Sequence, residues 1–111
     1  MIIDQRRVDD VTIIDLNGRL IMGEGAPALR QKIHELLASG AKRLAVNLSG
    51  ITYIDSAGTG TLASVWTSAR RAEVRLKLFA PSPKVMAILK ITRLSSALDL
   101  APDEASALAD L

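Results

Sequence analysis

The hydroxyl of Ser56 follows a carboxylate, Asp55, and precedes a run with no side chain larger than threonine: Ala57, Gly58, Thr59, Gly60 and Thr61. A serine so placed can attack an acyl group or cap a helix. Attack requires a general base, a carboxylate to orient it and donors for the oxyanion. His34 is the single histidine of the chain, and between Ile33 and Glu35 it reads as a surface residue. Ile54 stands where the G-x-S-x-G elbow requires its first glycine. The sequence is therefore read as non-enzymatic, with no catalytic residues. Gly58-x-Gly60 is too short for a P-loop or a dinucleotide fingerprint, and no Gly-Lys-Ser/Thr follows it. There is no cysteine, so neither a metal centre nor a cofactor is expected.

Capping remains. Asp and Ser are both common at helix N-caps, and on that reading the glycines merely loosen the helix start. Yet each glycine costs roughly 1 kcal/mol against alanine in a helix interior, and less near an end. Two in one turn suggest that another surface approaches the backbone closely there. On the residues alone both readings stand.

The elements that must position this segment follow from periodicity. Val11–Leu16 is rich in β-branched residues and reads as a strand, paired through an Asp9-Asp10 turn with a weaker strand over residues 2–8. Arg19–Met22 extends it briefly. A helix is expected from Ala26 to Ser39, with Pro27 in its first turn. Leu29, Ile33, Leu36 and Leu37 form its apolar face, and Gly40 is its left-handed cap. Leu44–Leu48 reads as a central strand buried on both faces. The segment from Ile51 then leads into a helix over 56–72, with Leu62, Val65, Trp66 and Ala69 inward and Thr59, Ala63, Thr67 and Arg70 as a polar stripe. Val74–Phe79 alternates as a strand with one wet face. A third helix begins at Val85 and fades near Thr92-Arg93. Leu98–Leu100 is a last short strand, and Pro102-Asp103-Glu104 opens a terminal helix with acidic residues at its positive end. The order gives an α/β layer of about four to five mixed strands packed against about four helices, in one domain over residues 1–111.

Composition agrees. Of 111 residues 49% are hydrophobic but only 3% aromatic, so the core must be aliphatic. The net charge of +2 is scattered, without the clustered face that nucleic acid requires. No stretch approaches the roughly 18 apolar residues of a membrane span, and the N-terminus does not read as a signal peptide. A cytoplasmic location is expected.

Asp55-Ser56-Ala57-Gly58-Thr59-Gly60 is similar to the D-S-[STA]-G-x-G motif of STAS domains, the family of bacterial anti-sigma factor antagonists. The resemblance extends to the second strand ending at Gly18, the helix Leu29–Gly40, the strands flanking the motif and the stretch Pro83–Leu94. It implies a partner-switching regulator of transcription. By position, Ser56 would be phosphorylated by an anti-sigma factor that is also a serine kinase. Asp55 to Gly60 would be the partner-binding segment, the unphosphorylated form would capture the kinase, and a phosphatase would reset the switch. Two positions depart from the pattern. Ala57 lacks the hydroxyl common after the acceptor, and Arg19 replaces a glutamate near the expected partner surface, which opens the identity of the partner. An alternative within the same resemblance is an accessory subunit that docks on an ABC-type transporter ATPase without phosphorylation. The oligomeric state is left open.

Overall fold

The computed structural model describes residues 1–111. Strands β1 (Ile2–Val8) and β2 (Val11–Leu20) form a hairpin closed at Asp9 and Asp10. Both turn residues are left-handed, with φ of 49° and 66°. Aspartate tolerates this better than most residues, and the resulting twist matches that of the strands. The chain continues through α1 (Gly25–Ala38), β3 (Arg43–Ile54), α2 (Ser56–Arg71), β4 (Arg75–Phe79), α3 (Pro83–Ile91), α4 (Leu94–Ala97), β5 (Leu100–Ala101) and α5 (Glu104–Ala109). The sheet order is β1-β2-β3-β4-β5, antiparallel at β1–β2 and parallel elsewhere. The expected mixed α/β layer is what forms.

The larger core lies between one face of the sheet and the helices α1, α2 and α3. Ile14, Leu16, Val46, Leu48 and Leu78 meet Leu29, Ile33, Leu62, Val65, Val85 and Leu89 there. Full burial of one such aliphatic side chain contributes about 1.5–3 kcal/mol, so this layer holds both α1 and α2 against the sheet. Gly40 is left-handed at φ +89°, as a residue just beyond a helix C-terminus should be. Leu37 is only half-buried.

The other face is smaller. Val11, Ile13, Ala45, Phe79 and Ala101 pack with Ala107 of α5. Of the two basic residues of β4, Arg75 is exposed, as alternation suggested, but Lys77 does not face open water. The Lys77 side chain is only 15% exposed and pairs with Asp110 at 2.9 Å.

Several boundaries differ from expectation. β2 runs unbroken to Leu20, and β3 continues through Ser49–Ile54 where a connecting segment was expected. Register shifts near Asp15 and Gly18 let the two strands stay paired past Gly50. There a Cβ would stand 2.4 Å from the Leu16 carbonyl oxygen. The third helix starts at Pro83, capped by Ser82, and ends where Arg93 turns left-handed at φ 62°. A fourth helical turn, α4, follows, and β5 falls one to two residues later than expected.

On the α5 face Arg6 donates to Asp15 at 2.7 Å and also pairs with Glu104, while Asn47 donates to Asp15 at 2.8 Å. The Arg6 hydrogen bond, with help from Asn47, holds the Asp15 carboxyl below its ordinary range. A depressed carboxylate stabilises the fold above its unfolded pKa, about 3.9. That contribution disappears as pH falls through the lower folded value. Urea unfolding should therefore show stability declining below about pH 4. Arg6→Leu should flatten this decline, and an identical pH profile in the variant would refute the assignment.

Candidate functional site

Leu20 and Ile54 are register partners, so β2 and β3 end side by side and deliver their connections to one edge of the sheet. β2 leads through residues 21–24 into α1, and β3 leads through Asp55 into α2. Asp55 is extended (φ −112°, ψ −174°) and is the N-cap. Its Oδ1 accepts from the Gly58 N–H at 2.8 Å, and its Oδ2 accepts from the Met22 N–H at 3.0 Å. Its carbonyl accepts from both the N–H and the hydroxyl of Thr59, each at 2.9 Å. The Met22 and Gly58 N–H groups hold the Asp55 carboxyl below the usual carboxylate range. Of the two readings of the sequence, capping is what Asp55 does, and it leaves Ser56 exposed as the first residue of α2.

The six residues expected to meet a partner divide. Ser56 and Gly60 are exposed, while Asp55 and Ala57 are half-buried. Gly58 and Thr59, the other two, are buried in the isolated chain. A Cβ on Gly58 would lie 1.9 Å from the Leu20 carbonyl oxygen, so this glycine admits the sheet rather than a partner. Thr59 is 5% exposed, its hydroxyl turned back to Asp55. It leaves the polar stripe, whose other members Ala63, Thr67 and Arg70 are half-buried or exposed. A Cβ on Gly60 would meet nothing within 4 Å, and this is the glycine that keeps the surface bare.

Neighbouring residues that sequence reasoning gave no role complete the surface. Met22 is 76% exposed and Tyr53 51%, with the Lys84 ammonium 5.4 Å from the tyrosine ring centroid. Met22, Ala26, Pro27 and Arg30 face Ala57 and Gly60 across a groove of about 520 Å³. Arg30 donates to the Thr61 hydroxyl at 3.3 Å. The available signal was local: an apolar Met22 directly before Gly23, and the single tyrosine two residues before Asp55. Arg19, the reversed charge, is paired near the end of β2 with Glu24 of the turn that follows, so much of its field is met within the chain. His34 is exposed on α1. Trp66 is half-buried against the core, under the Arg70 guanidinium at 5.3 Å.

The family model described as STAS domain matches residues 3–107. A solved structure of a candidate anti-sigma factor antagonist from Thermotoga maritima is similar with a TM-score of 0.88 and 25% identity, over 97% of this chain and 92% of that one. The anti-sigma factor antagonist SpoIIAA in its unphosphorylated form gives 0.73 at 19% identity, over 98% and 96%. The Bacillus cell fate determinant SpoIIAA in its phosphorylated form gives 0.74 at 20%, over 98% and 97%. No curated protein sequence matches the chain.

The two glycines of α2 should respond oppositely to alanine. Gly58→Ala drives a methyl into the Leu20 carbonyl and should destabilise by about 3 kcal/mol or more, beyond ordinary overpacking. Gly60→Ala meets nothing and should gain up to about 1 kcal/mol from helix propensity. Equal urea midpoints for the two variants would contradict the placement of Gly58.

Proposed function

Since the chain belongs to the STAS domain family, we propose that it is an anti-sigma factor antagonist that binds an anti-sigma factor serine kinase while Ser56 is unmodified. Phosphorylation of Ser56 releases that partner and a phosphatase restores the free hydroxyl. The observation that carries this reading is an exposed Ser56 at the start of a helix already fixed by Asp55, amid small residues that let a second protein come close. The Thermotoga maritima structure, matched over nearly all of both chains, supports the antagonist class. SpoIIAA supports the switch, because that protein has the same fold both with and without phosphate.

The chemistry asks little of this chain. The Ser56 oxygen attacks the γ-phosphorus of ATP held by the kinase, ADP leaves, and the hydroxyl proton passes to a base on the kinase. This protein supplies the acceptor and its placement, which fits a non-enzymatic role in the cytoplasm. The new phosphate brings roughly −1.5 to −2 charges. Within the chain the positive end of α2 favours it, and the neighbouring Asp55 carboxylate is already engaged by two N–H groups. Against a partner the phosphate must instead be desolvated, and an uncompensated buried charge costs several kcal/mol. The fold tolerates the modification while the interface does not.

Incubation with an anti-sigma factor serine kinase and ATP, followed by mass mapping, should place phosphate on Ser56 alone. Ser56→Ala should abolish labelling with the fold intact. Ser56→Asp should weaken kinase binding by about tenfold or more, about 1.4 kcal/mol, with a melting temperature within a few degrees of the unmodified protein. Phosphate mapped to Thr52 would overturn the acceptor. Binding of Ser56→Asp at undiminished strength would point to docking that does not depend on phosphorylation.

A further inference from the structure

Residues 21–24 form a turn built to hold one apolar side chain in water. The Glu24 and Ala26 N–H groups both donate to the Ile21 carbonyl, at 3.2 and 3.1 Å. Gly23 takes φ +80°, a conformation that L side chains rarely adopt. Glu24 is tethered to Arg19 on β2. The Met22 N–H donates to Asp55, the residue before Ser56, while the Met22 side chain is 76% exposed. An exposed methionine on a fixed turn is an unusual surface feature. Its flexible thioether adapts to irregular apolar pockets, and fixing the backbone beforehand lowers the ordering cost of binding.

Asp55 therefore has two duties that chemistry can separate. Oδ1 caps α2 through Gly58, and Oδ2 ties the Met22 turn to the same helix start. We propose that Met22 is the apolar anchor that enters a pocket on the kinase, and that Asp55 is the positioning residue holding this anchor beside the phosphate acceptor. The inference rests on the reading of Ser56 given above. The partner surface it requires is an apolar pocket for a methionine side chain, adjacent to the site that receives the Ser56 hydroxyl.

Asp55→Asn separates the duties. Asparagine is as good an N-cap as aspartate, so its Oδ1 still accepts from Gly58. Its amide nitrogen then meets the Met22 N–H donor to donor, and the tie is lost. In the isolated protein, hydrogen exchange followed by NMR should show the Met22 amide exchanging roughly tenfold faster in Asp55→Asn, with the Gly58 amide unchanged. With the anti-sigma factor serine kinase that labels Ser56, Asp55→Asn and Met22→Ala should each raise KM for this protein by about fivefold or more while kcat stays within about twofold. If Asp55 acts through Met22, the double variant should be no worse than Met22→Ala alone. Unchanged Met22 exchange would overturn the tie, with or without a kinase. Labelling with unmoved KM in both variants would overturn the anchor alone, and additive effects would overturn the coupling. A wild-type protein that no such kinase labels would overturn the Ser56 reading and the anchor with it.

Discussion

The close contact between the first turn of α2 and the end of β2 fixes everything at the candidate surface. At Gly58 the helix backbone runs so near the Leu20 carbonyl that no side chain can intervene. The Asp55 carboxylate, between the two elements, accepts one N–H from each. The helix start, the turn before α1 and the exposed Ser56 are consequently one unit, formed without a partner. Burial of Leu62, Val65 and Ala69 presses the rest of α2 onto the sheet and keeps that unit from rocking.

This arrangement suits a charge switch better than a conformational one. A surface whose backbone is fixed by hydrogen bonds and buried packing has little freedom to rearrange when phosphate is added. The anion gains from the helix N-terminus in the free protein and loses only where a second surface strips its water. Arg19 and Glu24 pair with one another nearby, so the added phosphate is not met by a free guanidinium at that point. On the proposed reading, the energetic difference between the unmodified and phosphorylated states then falls on the interface.

Much of the fold and the place of the candidate site were legible in the sequence. Asp55-Ser56 and the glycines marked the site, and aliphatic periodicity placed α1, α2 and the sheet around it. Less legible were features set by tertiary contact. Gly58 and Gly60 look alike in the sequence, yet one faces a carbonyl and the other open water. Thr59 looked polar and exposed, but its hydroxyl satisfies the Asp55 carbonyl and lets it sink inward. Ser49–Ile54 lacks a clean alternation because Thr52 and Tyr53 are both exposed, so its pairing with β2 could not be read from period alone. The single turn α4 follows from a left-handed Arg93, which no local residue type announces. Met22 had no periodic partner to draw attention to it, and its place is given by one hydrogen bond to a residue 33 positions away.

The central claim is that phosphate on Ser56 expels a partner without remodelling the fold. The direct measurement takes one isotopically labelled preparation, before and after enzymatic phosphorylation, and records its calorimetric affinity for the anti-sigma factor kinase alongside its amide NMR spectrum. The account predicts that affinity falls by about tenfold or more, with shift changes confined to residues 20–26 and 53–61 and the remaining amides of β2, β3 and β4 unmoved. Undiminished affinity, or loss of affinity accompanied by shifts throughout the sheet, would contradict it.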